Sequence, residues 1–196
     1  MANNNRHDND KRVIRTKKAI REALFSLMKQ KELSSITVSE LTSLANINRR
    51  TFYTHYHEIS EILDEVESEL ISYIKKLVDS TEREDFQKKT YNIFLGLNKM
   101  VREEYAYYFD IVEMDMRGML IQRLKNALKQ SAHSFFEENT PMRGTEQALM
   151  MSYIVGGIFN SFLEWYHYPG DMSLENAADV TSRITMLFAD NFQKMK

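Results

Sequence analysis

No cysteine occurs in this chain, which excludes disulfides, thiol catalysis and thiolate metal sites and fits a reducing compartment. Proline (2) and glycine (6) are scarce, while apolar residues recur every three to four positions through most of the length; together these favour an all-α fold over a turn-rich β architecture. No apolar run approaches the ~18 residues of a membrane span, and the opening MANNNRHDND has no apolar signal core. A soluble, cytoplasmic protein without a membrane partner is expected. Glycine-rich phosphate loops and a nucleophile elbow are also missing. His55 and His57 would stand ~200° apart on a helix, and His133 and His167 are isolated, so no His pair has metal-ligand spacing. Neither an enzyme nor a bound metal or cofactor is expected.

What is present is unevenly distributed. Through Ser60 there are 11 Lys+Arg against 6 Asp+Glu, a net of +5; the remainder has 15 against 22, a net of −7. A basic head on an acidic body places a polyanion partner at one end. Residues 11–30 read as a helix with a core stripe of Ile20, Ala23, Leu24, Leu27 and Met28. Its first half carries Lys11, Arg12, Arg15, Lys17, Lys18 and Arg21.

Residues 37–56, TVSELTSLANINRRTFYTHY, hold the densest local signals. Thr37-x-x-Glu40 is a capping box, in which hydroxyl and carboxylate each satisfy an unpaired backbone N–H of the other residue. Val38, Leu41, Leu44 and Ala45 make one apolar side, and the chain must then turn at residues 45–48. Asn46 stands where a positive φ is expected, a region Asn tolerates well, and Asn48 is placed to cap a second helix from Arg49. On that helix Phe52 and Tyr56, four apart, share an anchoring face. Arg49, Arg50, Thr51, Tyr53, Thr54 and His55 are polar donors. Two short helices with the polar chemistry on the second form a helix-turn-helix, whose second helix enters the major groove of double-stranded DNA. Arg49 and Arg50 each have two readings, bidentate contact to guanine or contact to phosphate. Lys17 and Lys18, one element upstream, read as backbone phosphate contacts.

The division expected is a disordered tail over 1–10, the helix-turn-helix domain over 11–57 and a larger helical body over 58–196, with about nine helices in total. In the body, periodicity predicts helices over 59–80, 83–102, 105–114, 117–137, 144–165 and from about 174 onward, with a break at Asn139-Thr140-Pro141. The helix over 144–165 is apolar nearly all round, so it is covered on more than one side. With the last helix it resembles half of a four-helix dimer interface, for which Ile154, Ile158, Phe162, Ile184 and Phe188 are the candidates. Twelve Met and a local concentration of Tyr and Met suggest an adaptable pocket for a small, mostly apolar effector. Its candidates are Asn98, Arg102, Tyr105, Phe109, Met116, Leu120, His133 and Tyr153, against the plainer reading of an ordinary core stripe.

The residues from Arg12 to about Val66 resemble the N-terminal domain of the tetracycline-repressor (TetR) family. The likeness rests on Ile36-Thr37-Val38 with Leu41, then Ala45-Asn46-Ile47-Asn48-Arg49 and Thr51-Phe52-Tyr53-Thr54-His55-Tyr56. The resemblance implies a homodimer whose third helices read a palindromic operator, and a body whose effector changes the spacing of the two heads. Most members are repressors; a protein-responsive activator or adaptor on the same fold is the alternative, with a protein partner in place of the small effector. It further implies that Tyr53 and His55 touch phosphates and that Thr37 and Val38 meet a phosphate with helix-terminal N–H groups. The family usually has glycine where Asn46 stands.

Overall fold

The computed structural model describes residues 2–80, 85–104 and 119–194. Among these residues the fold is all-α, without strands. The helices are α1 (Ala2–Met28), α2 (Val38–Leu44), α3 (Arg49–His55), α4 (Ser60–Ser80), α5 (Phe86–Lys99), α6 (Met119–Asn139), α7 (Gly144–His167) and α8 (Leu174–Lys194). A 3-10 turn at Leu33–Ser35 precedes α2, and a π turn at Met100–Glu104 follows α5. The helix expected over 105–114 lies outside the described residues. The chain divides into two compact units, one reaching Ser68 and the other beginning at Glu69.

In the first unit, α1 is helical from Ala2, ahead of the basic run that starts at Lys11. Ile20, Leu24 and Phe25 of α1, Leu41 of α2, Phe52 and Tyr56 at α3, and Ile62 and Val66 of α4 are all buried. Helices of 7 residues such as α2 and α3 are far below the ~12–15 needed for independent stability, so packing on this core and end-capping hold them.

In the second unit α5 packs along α8 and against α7, and α6 pairs with α7. Asp85 caps α5 by accepting from the Lys88 amide at 2.8 Å. Phe94 meets Phe162 edge-on with centroids 5.5 Å apart, and Phe86 stacks on Phe135 at 5.7 Å. Gly96 has no room for a Cβ beside Leu77 of α4, and its carbonyl accepts from the Tyr73 hydroxyl at 3.2 Å. Ser173 caps α8, its hydroxyl accepting from the Asn176 amide at 3.2 Å. No helix among the described residues is long and apolar enough to cross a membrane.

The residues expected at a dimer interface differ in exposure, Ile184 and Phe188 of α8 being exposed. Ile154, Ile158 and Phe162 are buried in their own unit together with Met150, Met151, Val155 and Phe159, with Ile154 also bordering a groove at the surface of α7 and α8. Leu149 and Tyr153 of α7 and Ile184, Leu187 and Phe188 of α8 are exposed. The reason is the ~100° step per residue: Tyr153 and Ile154 are neighbours in sequence but point to different sides of the helix.

Candidate nucleic-acid interface

Helix α2 begins with the full capping box. The Thr37 amide donates to Glu40 Oε2 at 3.0 Å, and the Glu40 amide donates to Thr37 Oγ1 at 3.3 Å. Lys31 Nζ, from the loop after α1, donates to Glu40 Oε1 at 2.7 Å and ties this cap to the preceding segment. That bond first, with those from Thr37, holds the Glu40 carboxyl at about 2, below its ordinary 4.5.

The turn closes by backbone bonds from Ala45 to the Leu41 carbonyl (2.9 Å) and from Ile47 to the Thr42 carbonyl (3.0 Å). Asn46 between them has φ 52, the left-handed conformation that the resemblance fills with glycine and asparagine adopts at modest cost. Asn48 then caps α3, its Oδ1 accepting from the Thr51 amide at 2.7 Å and the Thr51 hydroxyl at 3.0 Å. Asn48→Ala is expected to destabilise the first unit by ~1 kcal/mol, read from its denaturation midpoint.

These caps and the buried Phe52 present one side of α3 outward. Arg49, Arg50, Tyr53 and Thr54 are exposed, Thr51 and His55 half-buried. Neither Arg49 nor Arg50 has an acidic partner among the described residues. The Tyr53 ring meets Phe52 edge-on at 5.3 Å, which steadies an otherwise exposed side chain. Thr54 returns its hydroxyl to the Arg50 carbonyl at 2.9 Å. At the start of α2, Thr37 is exposed and Val38 half-buried.

The two α1 lysines part company. Lys18 is exposed, with Glu22 at 3.8 Å, a surface pair worth little. Lys17 is instead ion-paired with Glu65 of α4 and lies 5.4 Å from the Tyr56 ring centroid. Of the two lysines expected to contact phosphate, Lys17 thus has an internal carboxylate partner and Lys18 stands exposed.

Glu65 also accepts from the Tyr56 hydroxyl at 2.5 Å and pairs with Arg21 Nη2 at 3.0 Å. Burial pushes the Glu65 carboxyl up, but hydrogen bonds from Lys17, Tyr56 and Arg21 outweigh it and hold the group at about 2. The Tyr56 hydroxyl is raised above its ordinary range by burial and then by that carboxylate. Sequence reasoning missed Glu65 and Arg21 in this role; the available signal was Arg21 lying four residues after Lys17, on one helix face, beside buried Ile20 and Leu24.

Because both Glu40 and Glu65 are depressed from 4.5 to about 2, their contribution to stability is present above pH 4.5 and is lost as pH falls towards 2. Unfolding midpoints of the first unit should drop across that window, and less steeply in Glu65→Gln.

The described residues among those expected in an effector pocket have different surroundings. Tyr105, Phe109 and Met116 lie outside the described residues, as does the side chain of Leu120. His133 is exposed beside Glu137 at 3.6 Å, and Arg102 is exposed with its guanidinium 5.3 Å from the Tyr166 ring centroid. Tyr153 is exposed and packs on Phe188 at 4.8 Å, whereas Asn98 has a buried Oδ1 with no hydrogen-bond partner.

No family model matches the chain. Over 55 residues it is 40% identical to an uncharacterised HTH-type transcriptional regulator, YxbF, of Bacillus subtilis (strain 168); the match spans 28% of this chain and 14% of that protein. Among solved structures, a TetR transcriptional regulator from Streptococcus agalactiae 2603V superposes with a TM-score of 0.58 at 20% identity, covering 91% of this chain and 98% of that one. The chain has the TetR-regulator fold. The dihydroxyacetone kinase operon activator DhaS gives a TM-score of 0.54 at 19% identity, covering 91% and 98% of the two chains. Thermus thermophilus FadR, a TetR-family repressor solved with lauroyl-CoA, gives 0.53 at 14% identity over 87% and 93%. In this fold α2 and α3 form the helix-turn-helix, and α4 runs from the first unit into the second.

Proposed function

We propose that this chain is a transcriptional regulator that reads double-stranded DNA through α3 and acts as a homodimer. The observation that carries the DNA reading is the exposed pair Arg49 and Arg50, without acidic partners among the described residues, at the start of a short helix capped at Asn48 and anchored by Phe52. A helix held this way can offer Arg49, Arg50, Thr51 and Tyr53 to base edges and phosphates, with Lys18, Thr37, Val38, Asn48, Thr54 and His55 at its margins. Selection of duplexes from random or genomic fragments tests it. A retained consensus is expected, with log K falling steeply against log salt; failure to retain any duplex would sink the DNA reading.

Support for the homodimer comes from the surface of α7 and α8. Tyr153, Gly156, Gly157, Asn160, Ile184 and Phe188 line a groove of about 440 Å³, flanked by exposed Leu149 and Leu187. Covering these exposed apolar side chains with a second copy of the chain is the simplest closed arrangement. Sedimentation should give about twice 23.1 kDa for the wild type. Leu187→Glu, which puts a charge on a side chain 64% exposed in the single chain, should shift it towards the monomer while preserving helicity. A wild-type monomer at micromolar concentration would refute the interface.

An effector-responsive repressor is the finer reading, the effector being small and mostly apolar. The unpartnered Asn98 Oδ1 and the likeness to lauroyl-CoA-bound FadR support it. Lauroyl-CoA is a suitable first probe in a thermal-shift assay with and without duplex. The likeness to DhaS favours an activator as the second reading, in which the body answers to a protein partner.

A further inference from the structure

Lys17, Arg21, Tyr56 and Glu65 form a clasp in the first unit, with one carboxylate serving two cations and a phenol. Tyr56 is the C-cap residue of α3; its amide donates to the Phe52 carbonyl at 3.0 Å, and its ring is buried beside Phe52 with centroids 5.9 Å apart. The ends of α3 are thus held by different means, the first by the Asn48 cap and the last by the bond from Tyr56 to Glu65. A buried ring at position 52 resists withdrawal of the helix but is non-directional. A hydroxyl-to-carboxylate bond at 2.5 Å is directional and charge-assisted, so it specifies the rotation and tilt of the helix end.

The same carboxylate decides the fate of Lys17. Lys17 and Lys18 are adjacent cations on α1, yet the first faces Glu65 and the second faces solvent. We propose that Glu65 is a positioning residue for DNA recognition: through Tyr56 it orients α3, and by holding Lys17 it withdraws that cation from phosphate contact. This rests on the DNA-binding reading of α3.

The test uses full-length Glu65→Gln, Tyr56→Phe and Lys17→Gln, with one duplex recovered by selection with the wild-type chain as the probe. Affinity is measured across a salt series, and amide exchange is followed without DNA. Glu65→Gln is expected to weaken binding roughly tenfold and Tyr56→Phe by several-fold, because the bond they share is charge-assisted. In both, the Phe52 and Tyr56 amides should exchange faster while those of Phe94 and Leu97 in the second unit do not. Lys17→Gln should leave the slope of log K against log salt unchanged, whereas loss of a true phosphate contact lowers it by ~0.9.

Unaltered exchange in α3 of Glu65→Gln would overturn the orienting role, and so would acceleration spread evenly over both units, the mark of a general loss of stability. A reduced slope in Lys17→Gln would overturn the withdrawal of that cation. If the wild-type chain retains no duplex, the DNA reading fails and the proposal with it; exchange then shows separately whether the clasp itself holds α3.

Discussion

Arg49→Ala with Arg50→Ala is expected to lower affinity for a selected duplex by roughly 30-fold to 10⁴-fold, from ~1–3 kcal/mol at each position. Both guanidiniums are exposed and lack acidic partners among the described residues. Stability should therefore stay within about 0.5 kcal/mol of wild type, and the loss should appear in binding alone. The single variants separate the two possible roles. An arginine that reads guanine loses its preference at one base pair of a mutated-operator series when replaced. One that meets phosphate weakens binding to every duplex alike and lowers the salt slope by ~0.9. Two arginines ~100° apart around a helix need not share a role. If the double variant bound the selected duplex as tightly as wild type, α3 would not be the reading helix.

Phe52→Ala should have the largest effect on folding. The ring is fully buried, touches Tyr53 and Tyr56 at ring-contact distance, and joins α3 to the core that α1, α2 and α4 complete. Truncating such a residue costs ~3–5 kcal/mol through lost transfer energy and the cavity left behind. That is a large share of the ~5–15 kcal/mol that stabilises a typical domain. Denaturant unfolding followed by amide exchange should show the first unit losing protection while Phe94, Leu97 and Ile158 in the second remain protected. Tyr53→Ala, a neighbouring ring of similar size but 49% exposed, is the control and should cost far less. Equal losses from the two would show that α3 is not anchored by Phe52.

The parts of the site that were legible in advance are those whose forces act over three or four residues. The Thr37–Glu40 box, the positive φ of Asn46, the Asn48 cap and the Ser173 cap each join groups so close in the chain that a helix or turn brings them together whatever surrounds it. Helix positions followed from apolar spacing for the same reason. What spacing left open was the choice among partners. Helix α7 is apolar on several sides, and periodicity alone does not say which of them α5, α6 and α8 will cover.

The residues themselves thus determined an all-α chain with a short, doubly capped helix-turn-helix and a Phe52 anchor, because local hydrogen bonds and a 3.6-residue period are written into consecutive positions. Only the tertiary structure decided that Ile154, Ile158 and Phe162 turn inward while Leu149, Tyr153 and Leu187 stay at the surface. It also separated Lys17 from Lys18. Glu65 lies 48 residues from Lys17, and a charge pair across that distance exists only once folding has brought Glu65 of α4 to α1.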